Sequence, residues 1–144
     1  MVDEQRVELE VFLDAAYAIA LSSRTDQFHG MAVELAQQLR TEGTKLVTTR
    51  AILLEIGNAL TKQRYRSAAV RLLEALEVDP NVGIVPLTES VYAQAFELYR
   101  QRQDKEWGLI DCVSFVVMRE RGITSALTTD EHFLQAGFRA LLRE

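Results

Sequence analysis

Cysteine, proline and glycine are all scarce: one, two and seven residues respectively in a chain of 144. A single cysteine excludes an internal disulfide and a cysteine zinc cluster, and it fits a reducing compartment. Positive charge is also short. Sixteen Lys and Arg stand against 21 Asp and Glu, a formal net charge of −5, which disfavours a protein that holds nucleic acid by charge alone. No apolar run approaches the roughly 20 residues of a membrane span. The polar start, Met1-Val2-Asp3-Glu4-Gln5-Arg6, has no basic leader region ahead of an apolar stretch, so no membrane association is expected and the cytoplasm is the expected location. There is no internal repeat, low-complexity segment or linker, and residues 1–144 read as a single domain. What is present is ordinary globular composition, with 48% hydrophobic and 26% charged residues.

Patterning divides the chain into alternating elements. Residues 7–13 alternate and then turn fully apolar, as in a strand buried on both faces at its end. Residues 15–21 suit a short helix, and Phe28, Ala32, Leu35, Ala36 and Leu39 recur at helical spacing over 28–41, with Gly43 as the stop. A strand at 45–48 leads to Thr49, a helix cap before Ile52, Leu53, Ile56 and Leu60. A further helix spans 65–77, a turn falls at Asp79-Pro80-Asn81, a strand at 82–85, and Thr88 caps a helix carrying Val91, Ala95 and Leu98. After a charged loop at 101–107, the segment Leu109–Arg121 is apolar nearly all round, hence a buried helix, with Gly122 as its stop. A strand at 124–128, a helical turn at 131–135 and a last strand at 138–142 complete the chain. Strands alternating with helices favour a parallel sheet covered on both faces, with ligands beyond the carboxyl ends of its strands.

Four acids keep apolar company. Asp14 follows Val11-Phe12-Leu13; Glu55 interrupts Ile52-Leu53-Leu54; Asp111 follows Leu109-Ile110; Asp130 follows Ala126-Leu127-Thr128-Thr129. Taken singly, each has an ordinary reading: a cap or turn residue for Asp14 and Asp130, a partly exposed helix position for Glu55, a first-turn acid on the helix dipole for Asp111. A set of four is harder to dismiss, because burying an ionised carboxylate unpaired costs several kcal/mol or more. No equally placed Lys or Arg is visible in these runs, and a bound cation resolves the cost. Asp14 and Asp130 sit at strand ends, Glu55 and Asp111 in the first or second turn of predicted helices. If strand ends and helix starts share one edge of the sheet, all four meet there, which is an expectation about topology and not a result of spacing alone. Asn58, three residues after Glu55, shares its helical face. Mg²⁺ (or Mn²⁺) suits such oxygen donors. Zinc suits them less, since His29, His132 and Cys112 lack ligand-like spacing. Carboxylate-held ions serve phosphodiester cleavage.

Val11-Phe12-Leu13-Asp14, Thr49 to Leu60 around Glu55 and Asn58, Leu109-Ile110-Asp111-Cys112-Val113-Ser114-Phe115 and Ala126 to Phe133 around Asp130 occur in this order over residues 8–142. In this the chain resembles the PIN-domain family of metal-dependent ribonucleases, particularly the VapC-type toxins of bacterial toxin–antitoxin pairs. The ending Asp130 to Phe138 resembles a subgroup of that family. The resemblance implies a three-layer α/β/α sandwich around a parallel sheet of about five strands. It implies Asp14 and Asp111 as the most direct Mg²⁺ ligands, with Glu55 and Asp130 completing the catalytic cluster. It implies hydrolysis of RNA by metal-activated water, a small antitoxin partner and a tendency to form homodimers.

One departure is the pair Ala15-Ala16, where many members of the family carry a hydroxyl or amide. It removes a donor beside Asp14 and makes a catalytically weakened binding or adaptor module the main alternative. An aspartyl phosphatase wants a second acid at the position of Ala16, and a receiver domain wants a central phosphoacceptor and a late Lys; neither is found. Sugar hydrolysis would want more aromatic platforms than one Trp and four Tyr. Arg50, Arg102, Lys105 and Arg119 read by default as solvated, as do Asp104 and Glu106. Trp107, Cys112 and His132 read as packing or hydrogen-bonding residues.

Overall fold

A computed structural model describes residues 8–144. Five strands, β1 (Glu10–Leu13), β2 (Lys45–Thr49), β3 (Val82–Val85), β4 (Ser125–Leu127) and β5 (Arg139–Ala140), form one sheet in the order β3-β2-β1-β4-β5. Every pairing is parallel. The connections carry α1 (Ala15–Ser22), α2 (His29–Glu42), α3 (Arg50–Ala59), α4 (Gln63–Val78), α5 (Glu89–Gln101), α6 (Leu109–Arg121) and α7 (Glu131–Gln135). Helices α1 to α4 pack among themselves and α5 packs on α6, giving the α/β/α sandwich expected from the alternating pattern.

Local chemistry sets the boundaries. Thr49 and Thr88 accept hydrogen bonds from the amides of Ile52 and Val91, capping α3 and α5. Gly43 and Gly122 close α2 and α6 in the left-handed region, at φ 72° and 71°, where a side chain would be strained. Three strands are shorter than patterning suggests, among them β4, which spans Ser125–Leu127 where 124–128 is expected. The first begins at Glu10: Val7 lies outside the described residues, and Glu8 and Leu9 precede the ladder. The last is only Arg139–Ala140, because three-residue β4 pairs it solely through Ser125↔Arg139 and Ala126↔Ala140. The amide of Leu142 then turns to the carbonyl of Thr128, and Leu141–Arg143 wind into a 3₁₀ turn.

Strand order decides where a site can open. From β1 the chain builds outward to β2 and β3, then returns to place β4 on the other side of β1. The β1–β4 junction is therefore the switch point, where α/β sheets open a crevice at the carboxyl edge. Beneath it lies an aromatic core. Phe115 meets Trp107 and Phe133 edge-on at 5.0 Å each, and Phe12 lies 6.2 Å from Phe133. Burying each phenyl ring contributes about 1.5–3 kcal/mol. This cluster, with the 2.9 Å bond from Trp107 Nε1 to Gln135 Oε1, ties the start of α6 to α7. Trp107 is thus a buried packing residue, as expected. No described helix is long and apolar enough to cross a membrane.

Candidate metal centre

Each of the four acids reaches the carboxyl edge of the sheet by a different local route. Asp14 ends β1 and begins α1, its amide bonded to the Leu127 carbonyl at 3.3 Å, so the β1–β4 pairing itself fixes its place. Asp130 caps α7, with Oδ1 accepting the His132 amide at 2.8 Å. Asp111 sits in the first turn of α6, and its Oδ2 accepts the Gly108 amide at 3.0 Å. Glu55 stands half-buried in the second turn of α3.

The buried Thr128 hydroxyl joins one of these carboxylates to the backbone of a second acid. It donates to Asp14 Oδ2 at 2.6 Å and accepts from the Asp130 amide at 3.0 Å. The donor that Ala15 and Ala16 cannot supply therefore comes from the strand next door. A hydroxyl near Asp130 is legible in consecutive residues; its service to Asp14 depends on sheet pairing.

The acids share one electrostatic field. Burial pushes the Asp14 carboxyl up to about 6, with Asp111 and Asp130 adding to the rise, while the Thr128 and Ala15 hydrogen bonds oppose it. Burial pushes Glu55 up to about 7, and Asp14, Asp111 and Asp130 each raise it further. Among the described residues no Lys or Arg pairs with any of the four. Arg143 donates to the Thr129 carbonyl instead. A carboxylate group this crowded stays ionised at neutral pH only at a cost that a divalent cation removes.

The tightest cluster holds a residue that sequence patterning assigns to packing or hydrogen bonding alone. Donor atoms of Asp111, Asp130 and His132 all lie within 4.8 Å of one another. His132 Nδ1 is 3.0 Å from Asp111 Oδ2 and 3.4 Å from Asp130 Oδ1. Asp14 and Glu55 lie outside that trio, although both feel the charges of Asp111 and Asp130. The placement of His132 at a helix start is legible, but nothing local points to Asp111, 21 residues away. Asn58 is exposed. His29 Nδ1 meets the Ala20 carbonyl, and burial pushes the Cys112 thiol up to about 11; both stand apart from the trio. Carboxylate oxygens with one imidazole suit Mg²⁺ or Mn²⁺, which favour oxygen-rich sites.

The expected surface cations are engaged elsewhere: Arg50 pairs with Glu77, Arg102 with Asp104, and Arg119 bonds the Ala136 carbonyl.

Comparison with known proteins points to one family. The PIN domain family model matches residues 11–139. The chain is 29% identical over 128 residues to a 23S rRNA-specific endonuclease, VapC20, of Mycobacterium tuberculosis strains CDC 1551 / Oshkosh and ATCC 25618 / H37Rv, covering 89% of this chain and 95% of the relative. The crystal structure of M. tuberculosis VapC20, described as a sarcin-ricin loop cleaving toxin, superposes with a TM-score of 0.77 at 28% identity, again over 89% and 95% of the two chains.

Proposed function

The chain belongs to the PIN-domain family, and from that premise we propose that it is a divalent-metal-dependent endoribonuclease, the toxin of a type II toxin–antitoxin pair. The observation that carries the reading is the carboxyl edge itself: four acids in one field, with no Lys or Arg among the described residues to neutralise them. Asp14 and Asp111 are the direct ligands of Mg²⁺ or Mn²⁺, and Glu55 and Asp130 complete the cluster.

A divalent ion in this site supplies Lewis-acid chemistry, easing ionisation of water and neutralising charge on the phosphodiester. The chain's own residues do the rest. Thr128 and the Gly108 amide fix the rotamers of Asp14 and Asp111, so little reorganisation accompanies reaction. Glu55, half-buried beside the other three acids, is placed to take a proton from the attacking water at its carboxylate.

The substrate is RNA, and 23S rRNA, which the VapC20 relative cuts, is the first to try. A small antitoxin that lays an Arg among the carboxylates would silence the site. The active form is a homodimer in the cytoplasm. The apolar stripes of α3 and α4, a candidate partner face, are partly core: Ala51, Ile52, Leu53 and Ile56 are buried while Leu54 and Val70 are exposed.

The adaptor alternative rests on Ala15-Ala16, and the Thr128 hydroxyl answers it by supplying Asp14 with a donor. The deciding experiment incubates the purified chain with RNA and Mg²⁺ or Mn²⁺. Cleavage that disappears in Asp14→Asn and Asp111→Asn, with unchanged circular dichroism, supports the nuclease. Metal-independent cleavage, or none by the wild type alongside retained partner binding, sinks it.

A further inference from the structure

We propose that His132 Nδ1 is a nitrogen ligand of the metal centre, beside Asp111 and Asp130, and that it gives the site a preference for Mn²⁺ over Mg²⁺. The proposal rests on the reading of this edge as a divalent-cation site. It adds to that reading a donor of a different element.

The spacing of the donors suits a single ion. Ligands at neighbouring corners of an octahedron with bonds of about 2.1 Å lie about 3 Å apart. His132 Nδ1 stands 3.0 Å from Asp111 Oδ2 and 3.4 Å from Asp130 Oδ1, and one donor atom from each of the three residues fits within 4.8 Å of the others. These separations are those of donors around one ion. An ionised carboxylate only accepts, so in the ion-free arrangement Nδ1 carries the hydrogen and donates to Asp111. With the hydrogen on Nε2, the same Nδ1 turns a lone pair to the same point.

The ring is also held there. Its own amide is bonded to Asp130 Oδ1 at 2.8 Å. The next residue, Phe133, is fully buried against Phe115, and Gln135 is bonded to Trp107. These contacts belong to the backbone and to neighbouring residues, so replacing the imidazole leaves α7 anchored. A histidine serving only to pack the start of a helix has no reason to sit between two carboxylates.

Donor chemistry sets the consequence. Mg²⁺ is hard, strongly hydrated and content with oxygen. Mn²⁺ accepts the same oxygens but gains more from an imidazole nitrogen. A purely carboxylate site discriminates weakly between the two; one nitrogen tilts it.

The test measures metal binding alone, on the full chain without RNA. Mn²⁺ and Mg²⁺ affinities are taken by calorimetry and Mn²⁺ competition for wild type, His132→Asn and His132→Ala. Electron spin-echo spectroscopy of bound Mn²⁺ looks for imidazole ¹⁴N coupling. The expected result is a ¹⁴N coupling in the wild type that both variants lose, with the Mn²⁺-to-Mg²⁺ affinity ratio falling severalfold in both. Asparagine keeps a hydrogen-bond donor where Nδ1 lies. If His132→Ala weakens both ions equally and His132→Asn restores them, the residue merely positions Asp111 and the proposal is overturned. Bound Mn²⁺ without ¹⁴N coupling in the wild type overturns it too, while leaving the metal-centre reading intact. A wild type that binds neither ion overturns both.

Discussion

The two edges of the sheet treat the same residue type in opposite ways. At the amino ends of the strands, Glu8 accepts the hydroxyls of Thr124 and Ser125 at 3.0 and 2.8 Å with Arg139 at 3.6 Å, and Glu10 takes Arg121 at 2.9 Å. Arg139 also pairs with Glu144. At the carboxyl ends, Asp14, Glu55, Asp111 and Asp130 face one another, with a single imidazole and no Lys or Arg partner among the described residues. Helix α6 spans both situations: Asp111 in its first turn serves the acidic edge, and Arg121 in its last turn closes the neutralised one. Arg121 and Arg139 are spent on the amino edge, and an acidic group left open in this way at the other edge is built for a cation from outside.

This contrast can be broken, and the largest effect should come from the open edge. Asp111→Asn is expected to reduce RNA cleavage on the order of a hundredfold or more, comparable to losing a key electrostatic group in other active sites; steady-state rates on a defined RNA check it. The next effect is on the donor behind Asp14. Thr128→Val keeps the shape and removes the hydroxyl that bonds Asp14. Metal affinity should fall about 10- to 100-fold, the usual cost of losing a partner of a metal-ligating group, as read by calorimetry.

A smaller and subtler effect is the pH response of the metal-free protein. Asp14 and Glu55 have folded values near 6 and 7, above their ordinary 3.8 and 4.5. Raised acids bind their protons more tightly folded than unfolded, so their contribution favours the fold at low pH and is lost as pH rises through about 6 to 7. With chelator present, thermal midpoints should drop between pH 5 and pH 8. Asp14→Asn and Glu55→Gln should flatten that drop, and added Mg²⁺ or Mn²⁺ should oppose it; equal slopes in all samples would remove the electrostatic account. The smallest effect belongs to the closed edge. Glu10→Gln loses one largely exposed ion pair, worth at most about 1 kcal/mol, and should leave cleavage unchanged in the same assay. If it impaired cleavage as Asp111→Asn does, the division of labour between the edges would be wrong.

Legibility tracks the range of the interactions involved. Elements governed by neighbours a few residues apart read well: α6 has the expected bounds, Thr49 and Thr88 cap as expected, and Gly43 and Gly122 stop their helices. The four acids are visible as charges in apolar runs. Strand lengths read less well, because β5 is as long as its partner β4 permits and not as long as its own apolar run. Thr128 and His132 stand out in sequence only in lesser or different parts, since their decisive contacts are 114 and 21 residues away.

By itself, then, the amino-acid sequence determined the alternation of strands and helices, their caps, and the presence of carboxylates where burial would punish them. Periodicity, capping and desolvation are written in consecutive residues. Only the tertiary structure decided that the acids share one field, that a threonine from the end of β4 replaces the donor missing after Asp14, and that an imidazole stands between Asp111 and Asp130. Those facts arise from strand order and register, with Leu13 beside Leu127, and register is settled by the whole buried core acting together.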